Sequence, residues 1–236
     1  MGQEVAKAIA SDRELSIAGA VEEQVTQQYL PSPVISEIVP FSSDLDALLK
    51  ICSPDVLVDF TNAEVSIAAA RIAANRKVNL VIGTTGLSEG NLAEIDKLCQ
   101  SNGIGAVVAP NFSLGAALLM KLAEVAAGFF DCVEIIEMHH DRKIDAPSGT
   151  AIATAKVMLQ AHGKPFICPK AEREIISNTR GGQMGGVAIH SLRLPGFMAG
   201  QEVIFSGMGE ILSLRHESTS RECYMPGVIL AIKEVV

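Results

Sequence analysis

Glu134-Ile135-Ile136-Glu137-Met138-His139-His140-Asp141-Arg142-Lys143-Ile144-Asp145-Ala146-Pro147-Ser148-Gly149-Thr150-Ala151 places two histidines, a lysine and a Pro-Ser-Gly-Thr turn between two apolar runs. The lead-in reads as a strand, the middle as a polar loop, and the end as the start of a helix that Ser148 or Thr150 can cap. A helix start presents free N–H groups and a positive dipole end, which suit a carboxylate or phosphate. Lys143 adds a cation, and an imidazole exchanges a proton near neutral pH. An anion seat, a cation and a proton donor in one span point to an active site for a small acidic molecule. A polar surface loop before a capped helix is the plainer reading, but it does not call for all of these groups together. Zinc is disfavoured, because His139 and His140 point to opposite faces of a strand and no Cys-x-x-Cys or His-x-x-x-His spacing adds ligands. No metal site is expected.

Outward toward the C-terminus, a helix is expected from Thr150 to about His162, with Gly163 as its C-cap. Residues 165 to 179 read as strand and loop. Arg180 to Gly186 is a Gly-rich turn without the strand–helix context of a phosphate loop. Val187 to Leu194, Gln201 to Ser206 and Ile211 to His216 alternate as strands of a mixed or antiparallel sheet. Ser220-Arg221 opens a last helix.

Toward the N-terminus, Ser113 to Ala127 is an apolar-striped helix. Before it, strands at Val56–Thr61, Asn79–Gly86 and Gly105–Phe112 alternate with helices from about Ser43, Asn62 and Ser88. This βαβα order predicts a parallel sheet with helices on both faces. Ligands of such sheets lie at the carboxyl ends of the strands, where Gly83-Thr84-Thr85 and Ala109-Pro110-Asn111-Phe112 stand. Residues 24 to 43, with Pro31, Pro33 and Pro40, read as irregular connection. Met1 to Ala10 reads as a helix and Leu15 to Val21 as a strand, with no strand before the helix.

The 236 residues are 48% hydrophobic and 19% charged, a balance that can bury a sizeable core. A net charge of −8 argues against a nucleic-acid partner. The five cysteines are dispersed without a pairing pattern, as expected for reduced thiols in the cytoplasm. No apolar run reaches membrane-spanning length.

The pattern Glu-Ile-Ile-Glu-x-His-His-x-x-Lys-x-Asp-Ala-Pro-Ser-Gly-Thr-Ala resembles the signature of the dihydrodipicolinate reductases of the diaminopimelate–lysine pathway, and the likeness runs through nearly the whole chain. The resemblance implies a Rossmann-like α/β cofactor domain over residues 1–112. It implies an α+β substrate and oligomerisation domain with a mixed sheet over 113–219, and a return helix over 220–236. Its hinges would be Phe112-Ser113 and Arg221. It implies that nicotinamide, near Gly83, Thr84, Thr85, Ala109, Pro110, Asn111 and Phe112, delivers hydride to an unsaturated ring carbon. His139 would protonate the neighbouring carbon, and Lys143 would hold a substrate carboxylate. Ser148, Gly149 and Thr150 would grip the other carboxylate through backbone N–H groups, with His140 a further substrate contact.

The family opens with a strand and Gly-x-x-Gly-x-Met-Gly, of which only Met1-Gly2 stands here. The first strand is therefore expected to be missing from the chain as given, or to be lacking in a true variant. Gly2 would be what remains of the pyrophosphate loop. Glu22 takes the place of the ribose-binding acid, and Glu23 beside it would repel a 2′-phosphate. Of NADH and NADPH, NADH is favoured. Family members form homotetramers. Most carry His where this chain has Glu202, and most continue past the position of Val236. Two alternatives stay open: a dehydrogenase of another small amino-diacid, and a non-catalytic scaffold with an incomplete Gly-rich loop.

Overall fold

The computed structural model describes residues 1–25, 29–30, 38–167, 169 and 171–236. Part of the 24–43 connection, including Pro31 and Pro33, lies outside the described residues, as do Cys168 and Lys170. The chain divides into two compact units, one of residues 1–112 and 224–236 and one of residues 113–223.

The first unit opens with helix α1 (Gly2–Ser11), followed by β1 (Ala20–Val21) and β2 (Phe41–Ser42), which pair in parallel. Helix α2 (Leu45–Cys52) starts where the Asp44 carboxylate accepts the Ala47 N–H. Strands β3 (Val56–Asp59), β4 (Asn79–Ile82) and β5 (Ala106–Val108) form a parallel sheet in that order. They alternate with α3 (Ala63–Asn75) and α4 (Glu89–Asn102), and α7 (Met225–Glu234) returns to this unit. The two-residue alternation of a strand sorts the two cores. Leu80 and Ile82 of β4 pack with Ile67, Ala70, Ala73 and Ile95 of α3 and α4. Val81, between them, packs with Val5, Val228, Ala231 and Ile232 of α1 and α7. The strand expected over Leu15–Val21 is confined to Ala20–Val21. Its only partner strand among the described residues is β2, and that is two residues long.

The second unit contains α5 (Leu114–Ala126), β6 (Cys132–His139), α6 (Gly149–His162), β7 (Gly182–Met184), β8 (Val187–Arg193), β9 (Ala199–Gly207) and β10 (Glu210–Ser218). A short 3-10 helix over Arg221–Tyr224 follows. The strands form a mixed sheet of order β10-β9-β6-β8-β7, in which β6 and β8 alone run parallel. Leu119 and Ala123 of α5 and Ala151, Ala155 and Met158 of α6 pack on Val133, Ile135, Val187, Val203 and Phe205 from the sheet. Residues 165–179 hold no strand among those described.

The Gly-rich turn instead contains β7, closed onto β8 by Gly185-Gly186 with φ of 58° and 87°. Positive φ at both central residues suits a tight hairpin. At Gly186 a Cβ would also lie 1.9 Å from the Phe166 carbonyl oxygen, whereas at Gly185 it would meet only the Leu159 side chain. Gly186→Ala is expected to destabilise the protein by about 2 kcal/mol or more, and Gly185→Ala by less, because a side chain yields where backbone does not. Urea unfolding midpoints of the two variants check this order.

Candidate active site

Strand alternation puts Glu137 and His139 on the face of β6 that also carries Val133 and Ile135. Glu137 is fully buried. Parallel pairing sets Arg193 of β8 opposite His139, and its guanidinium grips the Glu137 carboxylate through two N–H groups at 2.9 and 2.7 Å. His139 Nδ1 lies 2.5 Å from Glu137 Oε2, and the Ser148 N–H donates to Oε1 at 3.2 Å. Burial alone pushes the Glu137 carboxyl up, but hydrogen bonds from His139, Arg193 and Ser191 outweigh it and bring it to about 2. Glu137 is thus an anion at any physiological pH.

The loop from His140 to Ser148 is tied to this cluster. Arg193 Nη2 donates to the Asp145 carbonyl at 2.7 Å. Lys143 Nζ donates to both Asp145 carboxylate oxygens at 2.7 and 2.9 Å. That ammonium lowers the Asp145 carboxyl below its ordinary range. Asp145 is well exposed while Lys143 is largely covered, so an incoming carboxylate meets an acid that water can take up at little cost. His140 follows on the strand, and its buried Nδ1 has no partner among the described residues.

Ser148 caps α6, its Oγ accepting the Ala151 N–H at 3.2 Å. Thr150, the other candidate cap, lies inside the helix. The Ser148 N–H, expected to serve a ligand, is given to Glu137 in this structure. The N–H groups of Gly149 and Thr150 have no acceptor among the described residues, and a Cβ at Gly149 would meet open space. The structure therefore joins His139, Lys143 and the α6 start through Glu137, Arg193 and Asp145, three residues that sequence reasoning did not single out. Glu137 carried a signal, since it stands two residues before His139 on the same strand face. Arg193 carried none, because its place comes from β6–β8 pairing.

In the first unit, Gly83-Thr84-Thr85 follow β4 and Ala109 to Phe112 follow β5, at the carboxyl ends of the sheet. The Phe60 ring lies over Gly83 so closely that a Cβ there would sit 2.0 Å from it, and Phe60 also packs on Phe112 at 5.7 Å between centroids. Thr84 Oγ1 is buried with no partner among the described residues. Glu22 follows β1 and is exposed, with its carboxylate accepting the Glu23 N–H at 2.9 Å. Helix α1 begins at Gly2 with no side-chain cap. Glycine-permitted close approach, an unsatisfied hydroxyl and an uncapped helix start fit a nicotinamide dinucleotide. Glu202, on β9, pairs at 3.4 Å with Arg215.

Family models described as dihydrodipicolinate reductase N-terminus and C-terminus match residues 1–112 and 115–236. The chain belongs to the dihydrodipicolinate reductase family. It is 50% identical, over all its length and 89% of the relative's, to the 4-hydroxy-tetrahydrodipicolinate reductase of Dehalococcoides mccartyi. To that of Bacillus subtilis it is 40% identical, with the whole chain and 89% of the relative covered. A solved dipicolinate-bound dihydrodipicolinate reductase from Paenisporosarcina sp. TG-14 superposes with a TM-score of 0.87 at 37% identity, covering 99% of this chain and 89% of that one. The reductase fold is a parallel-sheet, Rossmann-like unit plus a mixed-sheet unit. Its reaction is a nicotinamide-dependent reduction in lysine and diaminopimelate biosynthesis, on a dicarboxylate substrate. No helix among the described residues is long and apolar enough to cross a membrane.

Proposed function

We propose that residues 113–223 bind the cyclic dicarboxylate and residues 1–112, with the return helix, bind the nucleotide. The observation that carries this is the Glu137-centred network, which fixes an imidazole, a cation and a helix start to one another. Lys143 takes one substrate carboxylate in place of, or beside, Asp145, and stabilises charge developing in the ring. The N–H groups of Gly149 and Thr150 take the other, with Ser148 fixing the helix start. His140, just past the end of β6, adds a further contact. His139 gives a proton to the ring carbon next to the one being reduced. Bound nicotinamide supplies the hydride. Gly83, Thr84, Thr85, Ala109, Pro110, Asn111 and Phe112 would hold its ring, Glu22 the adenosine ribose, and the α1 start at Gly2 its pyrophosphate.

NADH is the preferred cofactor, because Glu22 and Glu23 present two exposed acids where NADPH would bring a 2′-phosphate. The enzyme acts in the cytoplasm. It assembles as a homotetramer through the mixed sheet, a reading supported by the exposed Ile211 on edge strand β10. Steady-state turnover with each nucleotide, with and without dipicolinate, tests the whole reading. Competition of dipicolinate with the cyclic substrate and a higher kcat/KM for NADH are expected. A higher kcat/KM for NADPH would refute the cofactor assignment, and indifference to dipicolinate the substrate site.

A further inference from the structure

Glu137 is a charge with no exposed surface on a strand face whose preceding positions, Val133 and Ile135, belong to the apolar core. An isolated carboxylate there would be strongly disfavoured, so its environment has to be built for it. Both oxygens are engaged, and the Ser191 hydroxyl is a further hydrogen-bond partner of the carboxylate. Oε2 lies 2.5 Å from His139 Nδ1 and accepts from Arg193 Nη1 at 2.9 Å. Oε1 accepts from Arg193 Nη2 at 2.7 Å and from the Ser148 N–H at 3.2 Å. We propose that Glu137 is the positioning residue for His139: anchored by Arg193 and by the N–H of the α6 N-cap residue Ser148, it holds the imidazole with its proton on Nδ1 and leaves Nε2 for the substrate. This rests on the proton-donor role given to His139 above.

The chemistry follows from what each partner can do. Arg193 and the Ser148 N–H can only donate, and an ionised carboxylate can only accept. His139 is the single partner able to change tautomer. In the protonated state Nδ1–H is held by Glu137 and Nε2–H is the transferable proton. On transfer, the Nε2–H bond breaks as the substrate C–H bond forms, and the electron pair stays on Nε2. The imidazole left behind is the Nδ1–H tautomer that Glu137 already favours. Water returns the Nε2 proton before the next turnover.

Glu137→Gln keeps size and shape but replaces one oxygen by an NH2 donor. The remaining oxygen stays with Arg193 Nη2 and the Ser148 N–H, which cannot become acceptors, and the Arg193 Nη1 bond is lost. The NH2 then faces His139 and, beside the Ser191 hydroxyl, favours its Nδ1 as acceptor, which moves the neutral imidazole's proton to Nε2 and opposes the imidazolium. The test is side-chain nitrogen NMR of the histidines, with His139 assigned by its loss in His139→Gln, beside kcat and dipicolinate affinity. Expected are an Nδ1–H tautomer in the native protein and an Nε2–H tautomer in Glu137→Gln. kcat should fall at least about tenfold while dipicolinate affinity stays within about threefold. An unchanged tautomer or an unchanged kcat in Glu137→Gln would overturn the proposal. Should that variant not fold, the native protein decides alone: a neutral His139 carrying its proton on Nε2 refutes the proposal, and one carrying it on Nδ1 supports it. Because the tautomer is read without turnover, its result stands apart from the proton-donor role, which fails only if His139→Gln is fully active.

Discussion

Replacing His139 with glutamine is expected to lower kcat about a hundredfold or more, equal to at least about 2.7 kcal/mol of transition-state stabilisation. Glutamine is polar, fits near the imidazole's place and can still donate to Glu137. The buried carboxylate keeps Arg193 and the Ser148 N–H as partners, so the fold should be retained. What is lost is the imidazole that donates the proton. The deficit belongs in kcat, since no carboxylate seat is touched. Steady-state kinetics on the purified variant checks this. Activity like that of the native protein would remove His139 from the mechanism.

Lys143→Ala is expected to fail differently. Here kcat/KM should fall about a hundredfold or more, with dipicolinate affinity lower by at least about tenfold, or about 1.4 kcal/mol. The ammonium is largely covered and already holds a carboxylate, that of Asp145, in a two-oxygen grip. A substrate carboxylate offers the same atoms to the same donor. Removing the ammonium leaves the N–H groups of the α6 start and His140 for two carboxylates. Asp145 is exposed, so its loss of a partner leaves no buried charge and the fold should survive. Binding titration and kinetics on the same preparation separate the affinity loss from any loss in turnover.

The elements nearest the site were the most legible ones. β6 and α6 follow from apolar alternation, a polar break and a Ser-Gly-Thr cap, all of which are local signals. The parallel β3–β5 sheet with helices between was legible for the same reason. Non-local contacts were not. Arg193 is an ordinary basic residue on an alternating strand until β8 pairs with β6 and brings it to Glu137. The hairpin strand β7 is hidden among glycines, which have weak strand propensity and serve here for the turn. Asp145 reads as a loop acid, and only the fold of the loop brings its carboxylate to Lys143. Ser148 shows the same limit in reverse. Its cap role is local and legible, but its N–H goes to a residue eleven positions earlier.

The most direct test of the division of labour within 113–223 is one titration of dipicolinate into native, His139→Gln and Lys143→Ala proteins, each saturated with NADH. His139→Gln should bind within about threefold of the native protein and Lys143→Ala at least about tenfold more weakly, as expected of a proton donor and an anion seat. Equal losses in the two variants, or no loss in Lys143→Ala, would contradict the assignment of Lys143 to the carboxylate and of His139 to the proton.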